Sequence, residues 1–340
     1  MEKLKLGVIY GGMSTENKVS CVSGASVIKN LNKEKYDITP IYIDENGNWF
    51  EVKNLDKNEK IEIDNVMKFL KKFDVVFPVL HGLYGEDGTI QGIFELLKIP
   101  YVGCGVLASS VGMDKVYTKI IFDKAEINQT KYVYIRKYED KYIYIDNNFN
   151  EKVLGLKDIE KIVIEKLKYP MFIKPSNSGS SVGISKANNQ EELENAIIEA
   201  SKFDKKILIE EGIDGREVEC AVLGNEEIKS SCVGEIKAAD EFYSYDAKYK
   251  NQESKTLIPA NISEEKSKEI QKLAIKAFKA IDGKGLSRVD FFIEKDTEKV
   301  YINEINTLPG FTKISMYPQL MNDFGISYSE LLDRVIQLAF

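Results

Sequence analysis

The stretch from Ser287 to Asn306 leaves the backbone few options. Ser287-Arg288-Val289-Asp290 runs into Phe291-Phe292-Ile293-Glu294. A polar turn, Lys295-Asp296-Thr297-Glu298, follows, and Lys299-Val300-Tyr301-Ile302 then leads into Asn303-Glu304-Ile305-Asn306. Two apolar, aromatic-rich runs around a short polar break predict a β-hairpin. Side chains alternate faces along a strand, so Arg288, Asp290 and Phe292 share one face, as do Ile302, Glu304 and Asn306. A turn centred on Thr297 sets Asp290 opposite Glu304, Arg288 opposite Asn306 and Phe292 opposite Ile302. Two carboxylates and an amide oxygen then converge beside a guanidinium and an apolar floor. Hard oxygen donors that leave room for water and phosphate suit Mg²⁺. A plainer reading, a surface hairpin with charges scattered on its wet face, is open to any short motif taken alone.

Length predicts two or three domains, because 340 residues exceed what one small core organises. Hydrophobic content of 43% with 30% charged residues is that of an ordinary globular protein, and no tract of like charge predicts a long disordered tail. A net charge of −7 argues against a general nucleic-acid binder. The N-terminus leads straight into a short strand with no apolar signal core, and no apolar run is long enough to span a bilayer. Cys21, Cys104, Cys220 and Cys232 form no CxxC pair and read as free thiols, so a cytoplasmic location is expected.

The N-terminal third alternates short apolar strands (Leu4 to Tyr10, Ile38 to Ile43, Val75 to Leu80) with helical pattern. That alternation predicts an open parallel sheet. The helix after Gly11-Gly12 is expected to bury Val19, Val22, Ala25, Ser26 and Ile28. Ligands of such sheets gather beyond the carboxyl ends of the strands, where Gly11-Gly12, Glu16 and His81 fall. The Gly-Gly loop is not a dinucleotide fingerprint. His81, the chain's one histidine, sits in the glycine-rich loop His81-Gly82-Leu83-Tyr84-Gly85-Glu86-Asp87-Gly88. A lone histidine is more often structural than catalytic.

Met113 to Lys119 reads as helix, and the Tyr-rich stretch from Lys131 to Lys157 as strands and hairpins. In Met171-Phe172-Ile173-Lys174-Pro175-Ser176-Asn177-Ser178-Gly179-Ser180-Ser181-Val182-Gly183 a strand delivers a lysine directly before a Ser/Gly loop. Free backbone N–H groups and hydroxyls can wrap phosphates there while Lys174 supplies the point charge. The order is not that of a Walker loop, and the bland alternative is a flexible Ser/Gly hairpin. Farther on, Glu210 and Glu217 can accept hydrogen bonds from an adenine amino group and ribose hydroxyls, with the main chain near Ile213 reading the ring edge. Alone, these acids read as solvated. The aromatic and lysine-rich segment from Asp240 to Lys250 reads as a lid closing on substrate, in preference to a nucleic-acid contact. Ser263 to Ile281 reads as an amphipathic helix capped by Ser263, with Ile270, Leu273, Ala274, Ala277, Phe278 and Ile281 in one stripe.

In this order of parts, a strand lysine and Ser/Gly flap, an acidic edge, then Arg-x-Asp and Glu-x-Asn on a hairpin, the chain resembles the ATP-grasp ligases. Within them it is similar to the D-alanine–D-alanine ligase family from Leu4 to Tyr328. The likeness is carried by Gly11-Gly12-x-Ser14-x-Glu16, His81-Gly82 with Gly85-Glu86-Asp87-Gly88, and Met113-Asp114-Lys115. It continues through Lys174-Pro175-Ser176 with Gly179-Ser180-Ser181-Val182-Gly183, Tyr245-x-Ala247-Lys248-Tyr249, and Glu304-Ile305-Asn306-Thr307-x-Pro309-Gly310-Phe311-Thr312. Lys18 stands where that family usually has an acidic residue. The resemblance implies an α/β fold: an N-terminal Rossmann-like open parallel-sheet domain over 1–103, followed by a two-part ATP-grasp fold. Its central subdomain, with the flap, spans 104–212, and its C-terminal subdomain, with lid and metal hairpin, spans 213–340.

The resemblance also implies a reaction. ATP phosphorylates the carboxylate of one D-alanine, and the amine of a second attacks the acyl phosphate through a tetrahedral intermediate, yielding D-alanyl-D-alanine for peptidoglycan precursors. Matched residue by residue, Lys115, Lys174, Ser180, Ser181, Glu210, Ile213, Glu217 and Phe292 hold ATP. Asp290, Glu304 and Asn306 hold two Mg²⁺ ions, with Mn²⁺ as a substitute. Glu16 binds the first ammonium with His81 nearby; Lys248 and Ser315 contact the second carboxylate, and Met316 shapes its pocket. Glu16, Ser180 and Tyr249 form a closed-site network, while Arg288 and the backbone N–H near Gly310 stabilise the oxyanion. A homodimer acting on small molecules, with neither nucleic acid nor membrane as partner, is implied. A ligase joining D-alanine to D-serine or D-lactate, and an inactive nucleotide-binding homologue, are the alternatives. Tyr249 and Met316 resemble the D-alanine type.

Overall fold

A computed structural model describes residues 2–55, 57, 59–237 and 255–340. The first sheet comprises β1 (Leu4–Gly11), β2 (Tyr36–Ile43), β3 (Trp49–Asn54), β4 (Glu59–Glu62) and β5 (Val75–Leu80), in the order β4-β3-β2-β1-β5. Its core is parallel, β1 lying between β2 and β5. The expected parallel sheet is extended by β3 and β4, which add antiparallel at one edge. Every residue of β5 is buried, as expected for a strand covered on both faces.

The helix Asn17–Asn30 shows a different inner face from the one its valines suggest. Ser20, Ser23, Gly24, Val27 and Ile28 are buried, whereas Val22 is 61% exposed. The cause is close approach to β1: a Cβ on Gly24 would lie 2.6 Å from the Tyr10 Cβ. At that distance only small side chains fit, and Ser20 also satisfies strand ends. Its Oγ accepts from the Gly11 N–H at 2.8 Å and donates to the Val79 carbonyl at 2.5 Å. Backbone satisfaction at the sheet's carboxyl edge outweighs the burial of Val22.

The second sheet is antiparallel, with strand order β10-β9-β11-β6-β7-β8. Its strands are β6 (Tyr132–Tyr138), β7 (Lys141–Ile145), β8 (Glu151–Leu154), β9 (Met171–Pro175), β10 (Ser185–Ala187) and β11 (Lys206–Glu211). The third, also antiparallel, has the order β14-β13-β12-β15-β16. It is built from β12 (Gly215–Leu223), β13 (Lys229–Lys237), β14 (Lys255–Leu257), β15 (Leu286–Glu294) and β16 (Val300–Asn306). The helix Glu264–Ala280 covers this sheet with Ile270, Ala274, Ala277 and Phe278, and Ser263 caps it by accepting from the Lys266 N–H at 3.1 Å.

Met113 to Lys119 is not one helix. The helix Val106–Met113 stops there and Asp114 caps the next, Lys115–Lys124, accepting from the Tyr117 N–H at 3.1 Å. The last two helices, Met316–Asp323 and Tyr328–Gln337, return to the beginning of the chain. Phe311, Tyr317, Leu331 and Leu332 share one core with Leu6, Val8 and Phe77, and the Phe77 and Phe311 rings meet edge-on at 5.6 Å. No helix among the described residues is long and apolar enough to cross a membrane.

Candidate active site

All three sheets contribute to one cleft of about 1400 Å³. From the first sheet come Glu16, His81 and Glu86; from the second, Lys174, the Ser178 to Ser181 loop and Glu210; from the third, Glu217, Arg288, Phe292, Glu304 and Asn306. Lys115, Ile213, Gly310, Ser315 and Met316 complete the wall. Asp290 lies just behind it, 1% exposed. Lys248 and Tyr249 lie outside the described residues.

The hairpin keeps its predicted register at the polar end. Arg288 pairs with Asn306 and Asp290 with Glu304. Beyond them the expectation fails: a bulge shifts the register, so Phe291 faces Ile302, and Phe292 faces Tyr301 instead of Ile302. One extra residue, Asn303, accounts for the shift, and it sends Ile302 into the core beside buried Phe291. Polar pairing on the cleft side and apolar pairing on the core side are thereby both satisfied.

Arg288 is the electrostatic centre of this sheet. Its Nε and second terminal nitrogen donate to the two oxygens of Asp290, each at 2.7 Å, and Nε lies 3.0 Å from Glu219 Oε2. Burial works against the guanidinium's charge, but Asp290, Glu219 and Glu304 outweigh it and hold the group protonated far above its ordinary value. Asn306 donates to Asp290 Oδ2 at 3.0 Å. Among the described residues no cluster of three His, Cys, Asp or Glu is arranged to hold a metal. The Asp290, Glu304 and Asn306 set has a different composition: two carboxylates and an amide.

Glu210 is placed otherwise than a solvated edge acid would be. It pairs with Lys174 on one oxygen, and its other oxygen lies 2.8 Å from Lys119 Nζ and accepts from Thr130 at 2.9 Å. Burial opposes its ionisation, but the two ammonium groups overcome this and hold the carboxyl far below the usual carboxylate range. For Lys174, burial disfavours charge and Glu210 more than restores it, so its pKa is raised. In Lys119 burial wins, and the pKa is lowered. Two lysines thus share one glutamate where the second sheet meets the cleft.

Above it the Ser/Gly loop turns through left-handed backbone, with φ of 48° at Ser180, 61° at Ser181 and 74° at Gly183. Ser180 Oγ donates to Glu16 Oε1, joining the flap to the first sheet. Lys115 Nζ donates to the Ser178 carbonyl at 2.5 Å, and Ser176 donates to Asp114 at 2.6 Å. The loop's stem is thus fixed to the helix Lys115–Lys124.

His81 is buried. Its Nε2 lies 3.0 Å from Ser23 Oγ and its Nδ1 3.7 Å from Glu86 Oε1. Burial disfavours the imidazolium, but the nearby carboxylate of Glu86, with the charge of Glu16, raises its pKa. On the opposite wall Thr312 donates to Ser315 Oγ through its N–H at 3.0 Å, and Met316 is buried against Gly234, where a Cβ would sit 2.9 Å from the sulfur.

Lys119, Glu219 and Ser23 escaped the sequence reading. Lys119 left a trace: with Val116 and Phe122 it occupies the i, i+3 stripe that is buried in its helix. Glu219 and Ser23 had no local signal, because each acts on a partner far away in the chain.

Residues 5–104 match the family described as D-ala D-ala ligase N-terminus, and residues 121–337 match D-ala D-ala ligase C-terminus. A D-alanine–D-alanine ligase from Clostridium acetobutylicum is 51% identical, covering 99% of this chain and 98% of the relative. One from Acetivibrio thermocellus is 50% identical over 99% of this chain and 96% of its own length. Among solved structures, the VanG D-Ala:D-Ser ligase from Enterococcus faecalis superposes with a TM-score of 0.87 at 37% identity, covering both chains fully. The D-alanine–D-alanine ligase from Coxiella burnetii gives 0.83 at 32% identity, covering 100% of this chain and 94% of that one. A full-length relationship at half identity, with both halves of the family pattern in order, leads to one conclusion: this chain belongs to the D-alanine–D-alanine ligase family of ATP-grasp enzymes.

Proposed function

We propose that the chain joins two D-alanines at the expense of ATP, making D-alanyl-D-alanine for peptidoglycan precursors. The observation that carries the reading is the Ser180–Glu16 bond, which brings the phosphate flap onto the site for an amino-acid ammonium while Arg288 and Gly310 line the same cleft. ATP would lie between the second and third sheets, with Lys115, Lys174, Ser180 and Ser181 at its phosphates and Phe292 against the base. Glu217, Ile213 and the main chain beside Glu210 would meet the ribose and the ring edge. Glu210 itself serves the lysines, because both its oxygens are engaged there.

Glu16 and His81 position the first D-alanine so that its carboxylate oxygen attacks the γ-phosphorus. The bond to the β-phosphate oxygen breaks, and ADP keeps the electron pair. The amine of the second D-alanine, oriented through Ser315 and Met316, then attacks the carbonyl carbon. As the C–N bond forms, the carbonyl oxygen gains negative charge beside Arg288 and the Gly310 N–H; the C–O bond to phosphate then breaks and a proton leaves the nitrogen. One such donor is worth about 10²–10³ in rate. Asp290, Glu304 and Asn306 are hard oxygen donors on facing strands and fit Mg²⁺, with Mn²⁺ as a substitute; when bound, the metal neutralises the phosphate charge that the transfer must overcome. We further propose a cytoplasmic homodimer divided into units over 1–103, 104–212 and 213–340.

A D-alanine–D-serine ligase is the second reading, favoured by the VanG superposition. Buried, apolar Met316 supports D-alanine at the second site. Phosphate release with ATP and Mg²⁺ tests both, supplying D-alanine alone, with D-serine or with D-lactate, and identifying products by mass. D-Alanyl-D-alanine as the dominant product is expected. A dominant mixed product would replace the second-site assignment, and no release with any substrate would leave an inactive nucleotide binder.

A further inference from the structure

We infer that Tyr328 is a positioning residue for the oxyanion-stabilising turn at Gly310, acting through the main chain of Phe311. The inference rests on the ligase reading above. Tyr328 does not line the cleft, and it opens the helix Tyr328–Gln337 on the far side of the turn. Its hydroxyl donates to the Phe311 carbonyl at 2.6 Å and lies 3.1 Å from Ser26 Oγ. The Phe311 N–H points at Ser23 Oγ, at 3.5 Å, the same hydroxyl that meets His81. Both peptide groups of residue 311 are therefore held by side chains remote in sequence.

The neighbouring contacts turn that hold into a constraint on Gly310. Its ring buried, Phe311 lies 5.6 Å from Phe77, 5.7 Å from Tyr317 and 6.2 Å from Tyr328. On the other flank Pro309 has a fixed φ. Glycine is the residue most free to rotate, yet here it is bounded by a locked proline and an anchored phenylalanine. Ser315 Oγ closes in as well, 3.1 Å from where a Gly310 Cβ would stand. The direction of the Gly310 N–H is then set before substrate arrives, as preorganised electrostatic stabilisation requires. Half-buried, the Tyr328 phenol has its pKa raised by burial and remains a donor across the working pH range. Ser26 and Ser23 lie three residues apart on one helix, so one rigid element holds the first-substrate histidine and the oxyanion turn together.

Tyr328→Phe keeps the ring and removes only the hydroxyl. In the full chain, rapid-quench kinetics would follow ADP and dipeptide within the first turnover. Dipeptide formation should slow about 10-fold, the range of one lost hydrogen bond. ADP formation and the KM for ATP should change less than about twofold, so a burst of ADP precedes dipeptide, because the oxyanion develops only in the second step. Ser26→Ala should give a smaller loss of the same kind and none beyond the loss of Tyr328→Phe when the two are combined. Equal slowing of both steps with a lowered thermal midpoint would make Tyr328 a mere strut, and unchanged dipeptide formation would remove its role altogether; either overturns the inference. Absence of D-alanine-dependent ADP in the unaltered chain would instead sink the ligase reading, and this inference with it.

Discussion

Alanine in place of Gly179 would put a methyl carbon 2.5 Å from Glu16 Oε2, the carboxylate assigned to the first ammonium. Ordinary contact requires a retreat of roughly 1 Å. Glu16 cannot supply it. The side chain is buried, and one of its oxygens is held by Ser180. The flap must move instead, carrying Ser180 and Ser181 away from the proposed phosphate site. A misplacement of that size costs about 10² in rate when it separates reacting groups. We expect Gly179→Ala to lower kcat/KM for D-alanine by about that factor, read by coupled ADP release. The thermal midpoint should hold, because the flap contributes little to any core. Gly92→Ala is the control: a Cβ there meets nothing within 4 Å, and in the helix Thr89–Leu97 it should stabilise by about 0.4–1 kcal/mol. Wild-type kcat/KM in Gly179→Ala would refute the idea that the Glu16–flap contact is the catalytic geometry.

Other consequences can be measured in the same assays. Asp290→Asn should abolish Mg²⁺-dependent turnover with the fold intact by circular dichroism; wild-type turnover would dismiss the metal assignment. Arg288→Ala should lower kcat by about 10²–10³ while affecting nucleotide affinity less, as measured by isothermal titration. Lys119→Met leaves Glu210 with Lys174 as its only cation among the described residues, which should draw Lys174 away from the proposed phosphate site and raise the KM for ATP; an unchanged KM would make Lys119 a purely structural cation. The raised pKa of His81, which faces Glu86 and Glu16, makes its contribution to stability full below the unfolded value of about 6.5, and that contribution fades as pH rises through the folded value. The thermal-midpoint gap between wild type and His81→Asn should therefore narrow from acid to alkaline pH.

Much of this site could be read from the chain because its parts are local. Strand alternation and a short turn suffice to bring Asp290 to Glu304, and a lysine at a strand end suffices to place Lys174 before its flap. The bulge at Asn303 was not legible: it settles a competition between cleft-side and core-side pairing that only the packed sheet creates. The inner face of Asn17–Asn30 misled for a related reason. Hydrophobic periodicity counts apolar residues, whereas this helix is chosen for small ones by its distance from Tyr10. Glu210 looked like a surface acid because its two cations, Lys119 and Lys174, come from different elements far apart in sequence.

Because Phe311, Tyr317, Leu331 and Leu332 share a core with β1 and β5, the order of synthesis exposes the growing chain. Leu6, Val8 and Phe77 leave the ribosome early, and the helix Asn17–Asn30 covers only part of their face until the last helices follow. At about 5–20 residues per second that interval is on the order of 10–50 s. During it, an apolar sheet face waits for a partner, long enough for a chaperone to bind it or for another nascent copy to aggregate with it. Truncations within Tyr328–Gln337 should accordingly show up first as loss of soluble protein, well before any question of turnover arises.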